Sequence, residues 1–374
     1  MKSLLPFNSL TPLCLLLLVA GPVLRAAAYY VSNRGNDASA GSEAQPWLTI
    51  GQAAKTMVGG DTNFAASPEK VYQFFLHGLS DIRHVSLLQN KFHDSKFHAI
   101  SLGGSGHTIR GNEFTNPNGW DAIRLLCSNT LVANNVFQDW SDFVGNYQYN
   151  HPDLIQAFSN NGEYSQNNLI ENNLATDCVN VQIGNVSDQS GGHVGNWVWR
   201  NNMFNSVDMA MSMSVENMQF YNNTFVHCGK NAFGPIMFGV RAGRGSANYA
   251  TILNNIFFEC GNHPELQNRG WYSIDSTLTG VVADYNLVIG AGDKKTKLNF
   301  VTARFEQHGL NGVDPGFVNT AGGDLRLKVH SPCIGAAYDL SSMGFNKDFL
   351  GKERIPPWDL GAMQWKVRPS TPAN

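Results

Sequence analysis

The residues best suited to chemistry lie in one short run, Asn150-His-Pro-Asp153-Leu-Ile-Gln156. It follows directly on the aromatic-rich stretch Asp139-Trp-Ser-Asp-Phe-Val-Gly-Asn-Tyr-Gln-Tyr149. Pro152 fixes its own φ and stiffens the chain between His151 and Asp153. An imidazole changes charge near neutral pH and can take a proton, and a carboxylate two residues on can orient it or hold a metal ion. A guanidinium nearby would stabilise a carboxylate on which negative charge develops, and Arg124 is the candidate. We therefore expect His151 as general base, Arg124 as charge neutraliser, Asp153 as orienting or metal-binding group, and Gln156 and Gln182 as ligand-binding amides. Asp121 with Asp153 offers a second chemistry, since a carboxylate pair about 5 Å apart suits double-displacement hydrolysis. Asp142 and Asp153, with Asp139, are the candidates for Ca²⁺, which needs about six to eight oxygens. Trp140, Phe143, Tyr147 and Tyr149 are expected to overhang the site as stacking surfaces or to pack the insertion down. Arg241, with Arg244 and Lys230, would extend a basic strip.

For these groups to meet, something must bring residues about thirty apart into register, and the asparagines say what. The chain has 40, of which 31 lie between Asn90 and Asn286. Many fall in one pattern, Asn-x-apolar, at Asn90, Asn112, Asn135, Asn173, Asn202, Asn223, Asn255 and Asn286, spaced 22, 23, 38, 29, 21, 32 and 31 residues. A near-constant minimum with variable additions is the mark of one stacked supersecondary unit carrying loop insertions. Each unit holds short strand-like runs separated by Gly or Asn, with no helical period. A single rung cannot bury its apolar face, so rungs stack, and equivalent residues form ladders about 4.8 Å apart. Asn112, Asn135, Asn173, Asn202, Asn223 and Asn255 should thus share one turn of successive coils. The strands Ile100-Ser-Leu102, Ile123-Arg-Leu125, Ile155-Gln-Ala157, Val181-Gln-Ile183 and Met211-Ser-Met213 align as well. Period-two alternation gives an outward polar column of Ser101, Arg124, Gln156, Gln182 and Ser212, a natural trough for a linear polymer.

Composition excludes several classes. With 43% hydrophobic and 15% charged residues and a net charge of -3, the chain is too apolar for disorder and not basic enough for nucleic acid. Lys2, the apolar run Leu13 to Ala20 and Ala26-Ala27-Ala28 read as a cleaved export signal, the apolar run being shorter than the roughly 20 residues a membrane span requires. We expect a monomer outside the cytoplasm (secreted or periplasmic) with no stable membrane insertion. Its five remaining cysteines should be mostly buried thiols. Cys228 and Cys260, each five residues after a ladder Asn, should be stacked neighbours.

These features resemble the right-handed parallel β-helix superfamily of pectate lyases and related exported, polysaccharide-acting proteins. The resemblance lies in Tyr29-Tyr-Val-Ser-Asn-Arg-Gly-Asn-Asp37, Gln45-Pro-Trp-Leu-Thr-Ile-Gly-Gln-Ala-Ala54 and Gly59-Gly-Asp61. At the other end it lies in Val313-Asp-Pro-Gly-Phe317, Asp324-Leu-Arg-Leu, Ser331-Pro-Cys-Ile-Gly335 and Asp359-Leu-Gly-Ala362. It implies an all-β solenoid with an N-terminal capping helix over Thr49 to Met57. We expect residues 1–28 as signal and 29–364 as one domain: cap region 29–61, regular coils 84–290, C-terminal coils and cap 291–364. Residues 365–374 would be a tail. The segment 62–79 departs from the pattern and reads as irregular or helical. The resemblance further implies a polysaccharide partner bound along the outward column. With His151, Asp153 and Arg124 it points to a lyase that cleaves a uronic-acid polymer by β-elimination. A glycoside hydrolase resting on Asp121 and Asp153, or a non-catalytic carbohydrate-binding protein, are the alternatives.

Overall fold

The computed structural model describes residues 27–365 apart from 32–33, 49–51, 54–55, 58–61, 66–73, 77–81, 94, 96–97, 116–119, 142–151, 160–161, 190, 192, 210, 230–235, 239, 242–244, 262–271 and 291–303. Its strands wind as coils of three short strands each. Residues 100–115 show one coil: Ile100–Ser105, Thr108–Arg110, then, past Asn112, Glu113–Thr115. Each strand pairs in parallel with its counterpart a coil later, Ile100 with Ile123, Thr108 with Leu131, Glu113 with Val136. Continued along the chain, this pairing yields a parallel β-helix, as the repeat implied.

The core is made of ladders. Phe92, Phe114 and Phe137 stack with ring centroids 4.9 and 4.7 Å apart, and Phe204, Phe225 and Phe257 at 5.0 and 5.0 Å. A second stack runs Ile109, Val132, Ile170, Trp199, Phe220, Ile252, all fully buried. Alternation explains this: the middle residue of each three-residue strand points inward and its neighbours outward.

At the corner, the asparagine ladder forms as expected. The N–H of Asn112 donates to Asn135 Oδ1 at 2.9 Å and its side-chain amide to the same oxygen at 3.0 Å. The two-donor grip repeats from Asn90 to Asn112, and from Asn135 through Asn173, Asn202, Asn223 and Asn255 to Asn286. The preceding residue takes a left-handed backbone each time, with φ of 52–63° at Asn134, Asn172, Asn201, Asn222 and Asn254. Asn tolerates that region better than other side-chain-bearing residues, which is why it doubles at the corner. Past Asn286 the equivalent residue is Gly309, and Glu306 reaches into the place its side chain would fill. Glu306 Oε2 accepts the Asn286 N–H at 3.1 Å and Oε1 the amide at 2.7 Å.

One expectation changes near the start. The stretch 62–79 contributes strands: Thr62–Ala65 lies between Ala28–Val31 and Ser86–Leu88, and Phe74–Leu76 pairs with Ile100–Ser105. Stacking supplies backbone partners to segments too short to alternate. Of the capping helix, Gln52, Ala53 and Thr56 are helical, the Met57 N–H donates to the Ala53 carbonyl at 2.9 Å, and Ala53 and Met57 are buried. Thr49, Ile50, Ala54 and Gly59 lie outside the described residues.

The cysteines follow the coils too. Cys228 and Cys260 are stacked neighbours, with the Gly261 N–H on the Cys228 carbonyl at 2.8 Å, and the five described cysteines are buried free thiols. At the far end Asp359-Leu-Gly-Ala362 folds back onto the corner. The Gly361 N–H donates to the Asn254 carbonyl at 2.8 Å and the Ala362 N–H to Thr224 Oγ1 at 2.9 Å.

Candidate active site

The strands Ile100–Ser105, Ile123–Ser128 and Asp153–Ser159 are consecutive rungs of one sheet, with Ser101 opposite Arg124 and Arg124 opposite Gln156. Two residues before the first paired isoleucine of each rung stand His98, Asp121 and Asp153, so the same register stacks these three at the leading end of the sheet. The next rung aligns Gln182 with Asp153. Sequence register thus builds two adjacent columns, one rich in titratable groups and one polar.

Asp121 is the hub. Its Oδ2 accepts from Arg124 Nε at 3.1 Å and Nη2 at 2.7 Å, and His98 Nδ1 lies 3.1 Å from the same oxygen. Its Oδ1 accepts the Asp153 backbone N–H at 3.0 Å. One rung on, Asp153 repeats the pattern with a neutral partner, Oδ2 accepting from Gln156 Nε2 at 2.8 Å. Asp121 is 2% exposed and Asp153 fully buried, and buried carboxylates must be paired in this way. The Trp120 ring meets His98 edge-on at 5.2 Å. Arg124 keeps 18% of its side chain exposed, with Cζ 5.1 Å from the Phe158 ring centroid. Its Nη1 has no partner among the described residues, so the fork that binds Asp121 leaves one charged donor for a ligand.

Arg124, Asp153, Gln156 and Asp121 therefore come together. His151, Asp142, Tyr147 and Tyr149 lie outside the described residues, as does the side chain of Arg241, whose backbone forms a short antiparallel pair with Gly245. Three expectations are corrected. Trp140 does not overhang the site: it is fully buried, its ring edge-on to Phe114 at 6.0 Å and its Nε1 donating to the Trp120 carbonyl at 3.2 Å. Gln182 does not continue the Arg124 column: Leu174–Asp188 pairs with Asp153–Ser159 so that Gln182 stands opposite Asp153 and Asn185 opposite Gln156. The column itself is no open trough: Ser101 is 0%, Ser212 2%, Asn185 8% and Gln156 9% exposed. Arg124 is its most accessible member among these.

His98 was not singled out from sequence, although Phe97-His98-Ala99-Ile100 occupies the same place before its strand as Asp121 and Asp153 do before theirs. Of the calcium candidates, Asp142 lies outside the described residues and Asp153 Oδ2 accepts from Gln156 Nε2; among the described residues no group of three or more His, Cys, Asp or Glu is placed to hold a metal ion.

The class that fold and site define is thus a parallel β-helix with an Asp–Arg–His cluster at the leading end of one sheet. No protein-family model matches the chain, and no curated protein does. Among solved structures it is similar to a rhamnogalacturonan lyase, 14% identical over 71% of this chain and 69% of that one, with a TM-score of 0.40. XylC in complex with xylose is 12% identical over 90% and 98%, TM-score 0.45, and pectate lyase Pel9A 14% identical over 91% and 96%, TM-score 0.33.

Proposed function

We propose that this chain is a carbohydrate-active protein working outside the cytoplasm after loss of residues 1–28, and that it cleaves a uronic-acid polymer by β-elimination. The observation that carries the reading is the Arg124 guanidinium, aligned by Asp121 and half-buried, with Nη1 left over for a substrate carboxylate. Elimination begins by removing the proton on the carbon beside that carboxylate, and a fixed cation facing the carboxylate stabilises the charge that accumulates there. His151, two residues before Asp153, is the base in this proposal. Asp121 orients Arg124, and Gln156 holds Asp153.

The hydrolase reading is weaker on this geometry. A double-displacement pair needs one free carboxylate as nucleophile, yet both Asp121 oxygens and Asp153 Oδ2 are already held by neighbours. The test is incubation with a panel of galacturonan, glucuronan and alginate, following two readouts. Ultraviolet absorbance of a 4,5-unsaturated product supports elimination. New reducing ends without that absorbance select hydrolysis, and neither signal with retained polymer binding selects a binding protein.

A further inference from the structure

We infer that the protein carries a second carbohydrate site, for a neutral sugar ring, at the trailing end of the sheet whose leading end holds Asp121 and Asp153. A pocket of about 270 Å³ opens there, lined among others by Gln166, Asp188, Asn196, Ser214, Glu216 and Asn217. Asp188 lies six residues beyond Gln182 on one strand, so the pocket is about 20 Å from the cluster, at roughly 3.3 Å per residue. The volume falls just below the roughly 300–1,000 Å³ of sites for drug-sized ligands, which suits one ring better than an extended chain.

Three observations converge on a sugar. First, the pocket is built: the nearly buried Asp188 carboxylate accepts the N–H groups of Gly191, His193 and Val194 at 3.0, 2.7 and 3.2 Å, fixing the wall. Second, an aromatic platform stands beside it. Tyr164 is 59% exposed with its ring 4.5 Å from that of His193, whose Nδ1 is buried without a hydrogen-bond partner among the described residues. An exposed ring beside amides, a hydroxyl and a carboxylate matches a ligand with an apolar C–H face and a rim of hydroxyls. Third, among the described residues the lining contains no Lys or Arg, and the exposed Glu216 carboxylate makes no ion pair or hydrogen bond. A uronate would meet the like charge of Glu216 there, which favours a neutral ring. The assignment rests on the pocket alone and stands whether or not Arg124 supports elimination.

Saturation-transfer NMR on the full chain tests it, with methyl glycosides of glucose, galactose, xylose and rhamnose against galacturonate and glucuronate. We expect transfer to at least one neutral glycoside and less to the uronates. Tyr164→Ala should weaken that binding by roughly 2–10-fold, the scale of one lost stacking contact. Glu216→Gln should keep the neutral sugar and admit the uronates. Arg124→Ala should leave the neutral-sugar signal unchanged. No transfer to any neutral glycoside, or a signal that survives Tyr164→Ala but disappears in Arg124→Ala, would overturn the assignment.

Discussion

Asp121 holds Arg124 through two of its guanidinium nitrogens and Asp153 through its backbone, so substitutions here separate alignment from chemistry. Arg124→Ala removes the charged partner of a substrate carboxylate and should raise KM and lower kcat together. His151→Ala should leave binding intact and lower turnover by about 10²–10⁴-fold, the usual worth of general-base transfer. Comparing kcat and KM of the two variants checks both. Arg124, Asp153 and Gln156 were legible because strict alternation carries a residue's facing from one rung to the next. Gln182 was not, since apolar residues stand close on either side of both Gln182 and Asn185, and alternation alone does not say which of the two meets Gln156. His98 was missed because the alignment began at Ile100, two residues too late. Away from the site, His107 gives a residue-scale pH effect. Its Nδ1 accepts the Val85 N–H at 3.1 Å and Nε2 sits 2.9 Å from the Gly103 carbonyl, which requires the neutral ring. Burial lowers its pKa, the Gly103 contact opposes this, and His84 adds to the lowering. With the folded pKa below the unfolded one, stability is whole above the ordinary histidine value near 6.5 and falls as pH drops from there toward the folded pKa, by up to about 1.4 kcal/mol per pH unit. His107→Asn supplies the acceptor that Asn168 supplies to Thr130 two coils on, and should flatten that part of a melting-temperature-against-pH curve. An unchanged slope would assign the acid sensitivity elsewhere.

The asparagine corner stabilises the coils as an element, and one deletion should be felt across two rungs. Removing Asn202 deprives the Asn173 N–H and side-chain amide of their acceptor. Two buried donors left unpaired at about 1–3 kcal/mol each give about 2–6 kcal/mol for Asn202→Ala, measurable by urea denaturation. The ladder's end is more specific. A Cβ on Gly309 would crowd Glu306 Oε2, so Gly309→Ala should destabilise, by less than Glu306→Ala, although it deletes no hydrogen-bonding group. The coil thiols are a further test. Burial pushes Cys127, Cys178 and Cys333 up to about 12, so in mildly alkaline buffer they stay protonated and unreactive. Peptide mapping should find them alkylated only after unfolding, and labelling of the native protein would contradict their placement. The Asn-x-apolar pattern made the corner, the aromatic stack and the Cys228–Cys260 neighbours readable from sequence. The strands at 62–65 and 74–76 were unreadable because Thr-Asn-Phe-Ala and Phe-Phe-Leu carry no clean alternation, and only the neighbouring rungs make them strands.

At the scale of the whole molecule, the stacked sheet sets the Arg124 guanidinium, held by Asp121, apart from a polar pocket beside Tyr164 whose described lining holds no Lys or Arg. The central claim is that Arg124 recognises a carboxylate in order to eliminate beside it. The most direct measurement is cleavage of one uronate polymer before and after chemical reduction of its carboxyl groups to alcohols, with wild-type protein and Arg124→Ala in parallel. The account predicts an ultraviolet-absorbing product from the native polymer, none from the reduced one, and a large loss with Arg124→Ala. Equal cleavage of native and reduced polymer, or undiminished activity in Arg124→Ala, would contradict it.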